Sequence, residues 1–227
     1  MKAIFLFVVA ILLVSCGLDP ISGSSSGLYQ LTLEDYPCKT WPEGRVEAVN
    51  SRLDKDMMKG WDRSSHRPLI FQAMAGVPDL YLGKLNALHV KNSFHISPRS
   101  SLGGVTLYPS YIYVGDDVDS INLALQHEVG HVVEYFARDM ASDGDPFEDD
   151  FDEELAVTAK EHHDNPYLNA YPASFSVESE VYKQEYFAEA FNSYYCSENT
   201  NALIRKQFPS TYAFLTKYLQ KPVWISQ

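Results

Sequence analysis

Between Ser120 and Phe136 the apolar positions recur at helical spacing. At about 100° per residue, Ile121, Leu125, Val129, Val132, Val133 and Phe136 gather on one side of a helix, and His127 and His131 fall opposite, with Ser120 and Ala124. Asp116, Asp117 and Asp119 precede the run and suit an N-cap and first turn, where a carboxylate accepts from otherwise unpaired backbone N–H groups. Val46 to Lys59 predicts another helix. Leu85 to Val90 and Val105 to Val114 have the character of strands, with Gly103-Gly104 opening the second. Glu153 to His163, Glu180 to Cys196 and Thr211 to Leu219 predict further helices, the last beginning after Pro209-Ser210. Strands come early and helices late, which predicts an α+β fold rather than a doubly wound sheet. The chain shows no internal repeat.

The first apolar run, Ala3 to Val14 after Met1-Lys2, is too short to span a bilayer as a stable helix and has the length of a signal-peptide hydrophobic region. It ends in Leu13-Val14-Ser15-Cys16-Gly17, which resembles the lipobox of bacterial lipoproteins. That resemblance implies removal of residues 1–15 and lipidation of Cys16. Residues 16–27, with Ser22, Ser24, Ser25 and Ser26, then read as a flexible tether, and residues 28–227 as the folded domain. The expected location is the bacterial cell envelope, lipid-anchored outside the cytoplasm. No Asp follows Cys16 directly, which favours the outer membrane or cell surface. The remaining cysteines, Cys38 and Cys196, form a disulfide in an oxidising compartment or stay as two buried thiols.

Charge narrows the partners. The formal net charge of −12 becomes about −13 once the signal and its one lysine are lost. This argues against nucleic acid and against adsorption to anionic lipid through a basic patch, leaving the lipid as the membrane contact. Much of the acidity lies between Asp139 and Glu154, where EF-hand spacing is missing and a solvated acidic loop is expected.

The helix around position 129 carries the chemistry. His127-Glu128-Val129-Gly130-His131 sets two imidazoles one turn apart on one face, so both can direct a nitrogen at one zinc ion. Glu128, roughly a quarter-turn away, is placed to act as general base on water. A catalytic zinc needs a third protein ligand. Glu134, His162, His163 and Glu185 are the candidates, with Glu185 the strongest. It stands in Glu185-Tyr186-Phe187-Ala188-Glu189-Ala190-Phe191, where Glu189, one turn on, can accept from a ligand histidine and fix its tautomer. Exposed helix charges are the plainer reading of both glutamates.

The two motifs together resemble the metalloprotease domain of the anthrax lethal factor family, which also includes secreted Pro-Pro endopeptidases. Phe208-Pro209-Ser210-Thr211-Tyr212-Ala213-Phe214-Leu215 is similar to that family's Pro-started terminal helix, and the likeness runs from about Gly103 to Leu219. It implies a zincin-like α+β domain of the gluzincin type, with a small mixed sheet, an active-site helix and a helical C-terminal part. It implies one zinc ion held by His127, His131 and Glu185, with Glu128 as base and Glu189 supporting a histidine. The substrate would be an extended protein or peptide paired along the strand at Val105 to Val114, and the enzyme a monomer. Relatives carry an oxyanion-stabilising tyrosine seven residues before the ligand glutamate, where this chain has Glu178. Tyr171 is the favoured substitute and Tyr182 the alternative. Two other classes share the metal residues: a non-catalytic zinc-containing surface module, and a zinc amidase acting on cell-wall peptide.

Overall fold

A computed structural model describes residues 40–52, 58–59, 66–85, 87–91, 94–97, 100–102, 104–107, 111–115, 118–141, 147–161 and 176–226. In chain order its elements are α1 (Glu43–Arg52), β1 (Met58–Lys59), α2 (His66–Met74), α3 (Asp79–Leu82), β2 (Ala87–Lys91), β3 (Phe94–Ser97), β4 (Ser100–Leu102), β5 (Gly104–Leu107) and β6 (Tyr111–Gly115). Then follow α4 (Val118–Ala141), α5 (Phe147–Glu161), α6 (Glu180–Cys196), α7 (Glu198–Gln207), α8 (Pro209–Tyr218) and a 3₁₀ turn at Val223–Ser226. Helices make up most of the described chain. The signal, the tether, Cys16, Cys38, His162, His163 and Tyr171 lie outside the described residues.

Three expectations about elements change. The predicted helix from Val46 to Lys59 stops at Arg52, and Met58–Lys59 pairs in parallel with Leu88 and His89 of β2. Strand pairing, a tertiary contact, overrides local preference there. Val105 to Val114 is not one strand but two, β5 and β6, paired antiparallel with Val105 opposite Tyr113 and Leu107 opposite Tyr111. Pro109, between them, has no backbone N–H to give to a ladder. β6 also pairs in parallel with β2, so the strand order is β1-β2-β6-β5, and β3 and β4 pair separately.

The acidic run is the third change. Instead of a solvated loop, Glu148 to Glu154 fall in the first two turns of α5. Carboxylates are favourable at a helix N-terminus, where they face the positive end of the macrodipole. The helix is anchored by Phe151, Leu155 and Ala159, which recur every four residues and are all buried. The acidic residues hid this apolar stripe from the sequence pattern.

The core is aromatic and centres on α6. Tyr182, Tyr186, Phe187, Phe191, Tyr194 and Tyr195 are all fully buried along it. The start of α6 is fixed by Ser179, whose hydroxyl accepts from Tyr182 N–H at 3.1 Å. Its end runs into a reciprocal capping box in which Ser197 and Thr200 satisfy each other's backbone donors at the start of α7. Pro209 opens α8 at a position where no backbone donor is needed.

The C-terminal segment is fastened back onto this core. Tyr195 Oη donates to the Gln220 carbonyl at 2.5 Å, and Gln220 N–H donates to Tyr81 Oη at 2.9 Å. Beyond it Trp224 meets the ring of Trp41 at 5.6 Å, and Trp41 exchanges two backbone hydrogen bonds with the Gln72 side chain. Cys196, buried at the end of α6, is disulfide-bonded.

Phe151 is the hub that ties α5 to this core, with ring centroids 5.8 Å from Phe187, 5.2 Å from Phe214 and 5.1 Å from Tyr218. Phe151→Ala is expected to lower the unfolding free energy by about 3–5 kcal/mol, read from a urea titration.

Candidate metal centre

The sequence pattern divides α4 into an apolar face and a histidine face, yet the described part of the helix is enclosed on both. Leu125, Val129, Val132 and Val133 are buried, and so are Gln126, His127, Glu128 and Glu134. The second face is covered by α6, whose packing against α4 is the most extensive contact between described elements. Gln126 supports the arrangement from α2's side by donating its side-chain amide to the Ala73 carbonyl.

This packing brings Glu185 to the two imidazoles from 58 residues away. Its Oε2 lies 3.1 Å from His127 Nε2 and 3.7 Å from His131 Nε2, and the two Nε2 atoms are 3.1 Å apart. The three donors thus form a closed triangle. For a tetrahedral zinc with bonds of about 2.0–2.1 Å, neighbouring donors stand about 3.3 Å apart, so the spacing fits such an ion. Glu134, on the same helix, does not join the cluster.

The wider surroundings favour the metal-binding tautomer. Glu189 Oε1 stands 3.2 Å from His127 Nδ1. A carboxylate this near would favour the ring proton on Nδ1 and so a free Nε2 lone pair facing the triangle. His127 and Glu128 are almost wholly inaccessible, and His131 keeps 18% of its side chain exposed. One side of the triangle is therefore open to solvent through His131.

The electrostatics call for a cation. Burial alone would push the Glu185 carboxyl up, but His131 and His127 hold it well below the usual carboxylate range. Burial likewise works against a charged His131, and the Glu185 carboxylate outweighs it, with a further contribution from Glu128, so His131 is raised above its ordinary value. An uncompensated buried carboxylate costs several kcal/mol. Either a proton on the imidazoles or a metal ion among them relieves that cost.

Tyr182 does not match its expected alternative role. It is fully buried, and its phenol donates to the Ala159 carbonyl on α5 at 2.9 Å. The hydroxyl braces α6 against α5. Glu178, at the position where the resemblance predicts a tyrosine, is exposed and faces Lys160 at 3.4 Å. Gly130, inside the histidine motif, has no role that the hydrophobic pattern or the metal spacing assigns. A lone glycine in the middle of a strongly periodic helix was the available signal.

Comparisons with known proteins bear on the same region. The family described as anthrax toxin lethal factor, N- and C-terminal domain, matches residues 101–218. The Pro-Pro endopeptidase of Clostridioides difficile (strain 630) is 31% identical over 116 residues, which make up 50% of this chain and 46% of that protein. The chain thus spans less than half the length of that relative. Among solved structures, the Pro-Pro endopeptidase from Paenibacillus alvei is 22% identical with a TM-score of 0.47, covering 73% of this chain and 98% of the other.

Because the Tyr182 hydroxyl serves helix packing, Tyr182→Phe is expected to cost about 0.5–1.5 kcal/mol of stability and to leave metal affinity unchanged. Parallel denaturant and metal titrations check both halves.

Proposed function

We infer that this chain, which belongs to the family of the anthrax toxin lethal factor N- and C-terminal domains, is a zinc-dependent metalloendopeptidase. The observation that carries this reading is the convergence of His127, His131 and Glu185 at the mutual spacing of donors around one zinc ion, with the buried Glu128 next to His127 in the chain. The Pro-Pro endopeptidase similarity supports a peptide as substrate.

His127 Nε2, His131 Nε2 and Glu185 Oε2 would hold the ion, with Glu189 keeping the proton of His127 on Nδ1. When bound, zinc supplies Lewis acidity, polarising the scissile carbonyl and making water a stronger acid. Glu128 takes a proton from the attacking water and returns it to the leaving amine, so one carboxylate serves as base and then as acid. An extended substrate would add along the outer edge of β5, which among the described strands pairs only with β6. Tyr171 is the proposed oxyanion donor, supported by the prior engagement of Tyr182. No acyl-enzyme is expected, because no nucleophilic Ser or Cys accompanies a base in the motif.

The protein is proposed to act as a monomer outside the cytoplasm, held by lipid on Cys16, with Cys38 as the partner of the bonded Cys196. Fatty-acid labelling that disappears in Cys16→Ser, and a Cys38–Cys196 peptide in a non-reducing digest, are the expected results.

The central test measures bound zinc together with cleavage of a peptide library. Glu128→Ala is expected to retain zinc and lose cleavage by at least about 100-fold. Glu185→Ala is expected to lose both. Full zinc occupancy in Glu185→Ala would remove Glu185 from the ligand set.

A further inference from the structure

At Gly130 the backbones of α4 and α6 approach each other closely. A Cβ built on it would lie 2.9 Å from Ala188 Cα, 3.3 Å from Ala188 Cβ and 3.2 Å from Phe191 Cβ. Contacts under 3.0 Å are essentially never seen for a real Cβ, and the atom at 2.9 Å is backbone, which cannot swing aside as a side-chain tip can. Any side chain at position 130 therefore forces the two helices apart or along each other.

The contact is bracketed by the site on both helices. Gly130 follows His127 by three residues and precedes His131 by one, and Ala188 stands in the same relation to Glu185 and Glu189. At about 1.5 Å of rise per residue, all four side chains leave their helices within one turn of the crossing point. A turn of helix is stiff over that distance, so a displacement at the crossing reaches Glu185 and Glu189 almost undiminished. Interaxial separation is set by the side chains at the contact, and here one partner has none and the other a methyl group.

We propose that Gly130 is a positioning residue: its missing side chain sets the spacing between α4 and α6 that brings Glu185 into bonding range of His127 and His131, and Glu189 to His127 Nδ1. This rests on the zinc-site reading above. Metal ligands tolerate displacements of only about 0.2 Å from their bond lengths, and functional groups generally about 0.5 Å. Taking a Cβ from 2.9 Å to the ordinary contact distance of 3.4 Å needs about 0.5 Å of displacement between the helices, more than the first tolerance and as large as the second. Intrinsic helix preference runs the other way, because alanine is the better helix former in mid-helix. Glycine at this position therefore follows from the spacing and not from local helix stability.

The test is the zinc dissociation constant of the full chain, measured by chelator competition, with circular dichroism and thermal unfolding alongside. Gly130→Ala is expected to remain helical and bind zinc about 10- to 100-fold more weakly, the range seen when groups supporting metal ligands are lost. Adding Ala188→Gly removes only the methyl that would stand 3.3 Å away and leaves the 2.9 Å contact with the Cα, so it should restore little of the affinity. Gly76→Ala is the control, because a Cβ there would press on the Tyr195 carbonyl, at the far end of α6 from Glu185. It should lower the unfolding temperature with little change in zinc affinity.

A folded Gly130→Ala with wild-type affinity overturns the proposal. So does Gly76→Ala weakening zinc as much as Gly130→Ala, since the loss would then be general destabilisation. If Gly130→Ala does not fold, Ala188→Ser, a smaller intrusion from the other side, carries the same readout, and unchanged affinity there also overturns the proposal. A wild-type chain that binds no zinc would instead overturn the zinc-site reading itself.

Discussion

The rest of the structure depends on the close packing of α4 against α6. It brings a buried carboxylate to two imidazoles that share a helix turn, and a carboxylate in that position is tolerable only with a compensating cation. The same packing covers the face of α4 that the hydrophobic pattern left polar. Elements elsewhere reinforce it. Gln126 ties α4 to α2, Tyr182 ties α6 to α5, and Tyr195 ties the end of α6 to the C-terminal segment.

Aromatic rings dominate the helical part because α6 must be held from several sides at once. Tyr186 illustrates the compromise. Its ring fills the core, and burial pushes its phenol well above the ordinary value, while its hydroxyl is satisfied by Thr211 Oγ1 at 2.6 Å. Tyr195 does the same with Gln220, so a polar handle on a large apolar body lets one residue pack the core and fasten a neighbouring segment. The hydroxyls of Tyr182, Tyr186 and Tyr195 each fasten their ring to a different neighbouring segment.

Much of the site was legible in the sequence because its first half is local. His127, Glu128 and His131 are related by helix geometry alone, and the apolar periodicity of the flanking residues identifies the helix. Glu185 was readable as a candidate from the paired glutamates of its own helix. Its geometric relation to the histidines was not, since nothing within residues 180–196 reports which way that helix faces. Gly130 is silent in the sequence for a related reason: the value of a missing side chain depends on what stands opposite, and Ala188 is 58 residues further on.

The sequence by itself determined the elements whose signals are short-range: the helix bearing the histidine motif, the helix from Glu180 to Cys196, the proline-started α8, and an acidic overall charge. Tertiary structure alone decided how those elements are used. It turned most of the acidic run into a helix anchored by Phe151, split one apolar stretch into two paired strands, and gave the Tyr182 hydroxyl to a backbone carbonyl. It also set the 3.1 Å between Glu185 and His127. Periodicity and capping act over a few residues, whereas distances between elements arise from the packing of surfaces far apart in the chain, and those packing distances are what a metal centre requires.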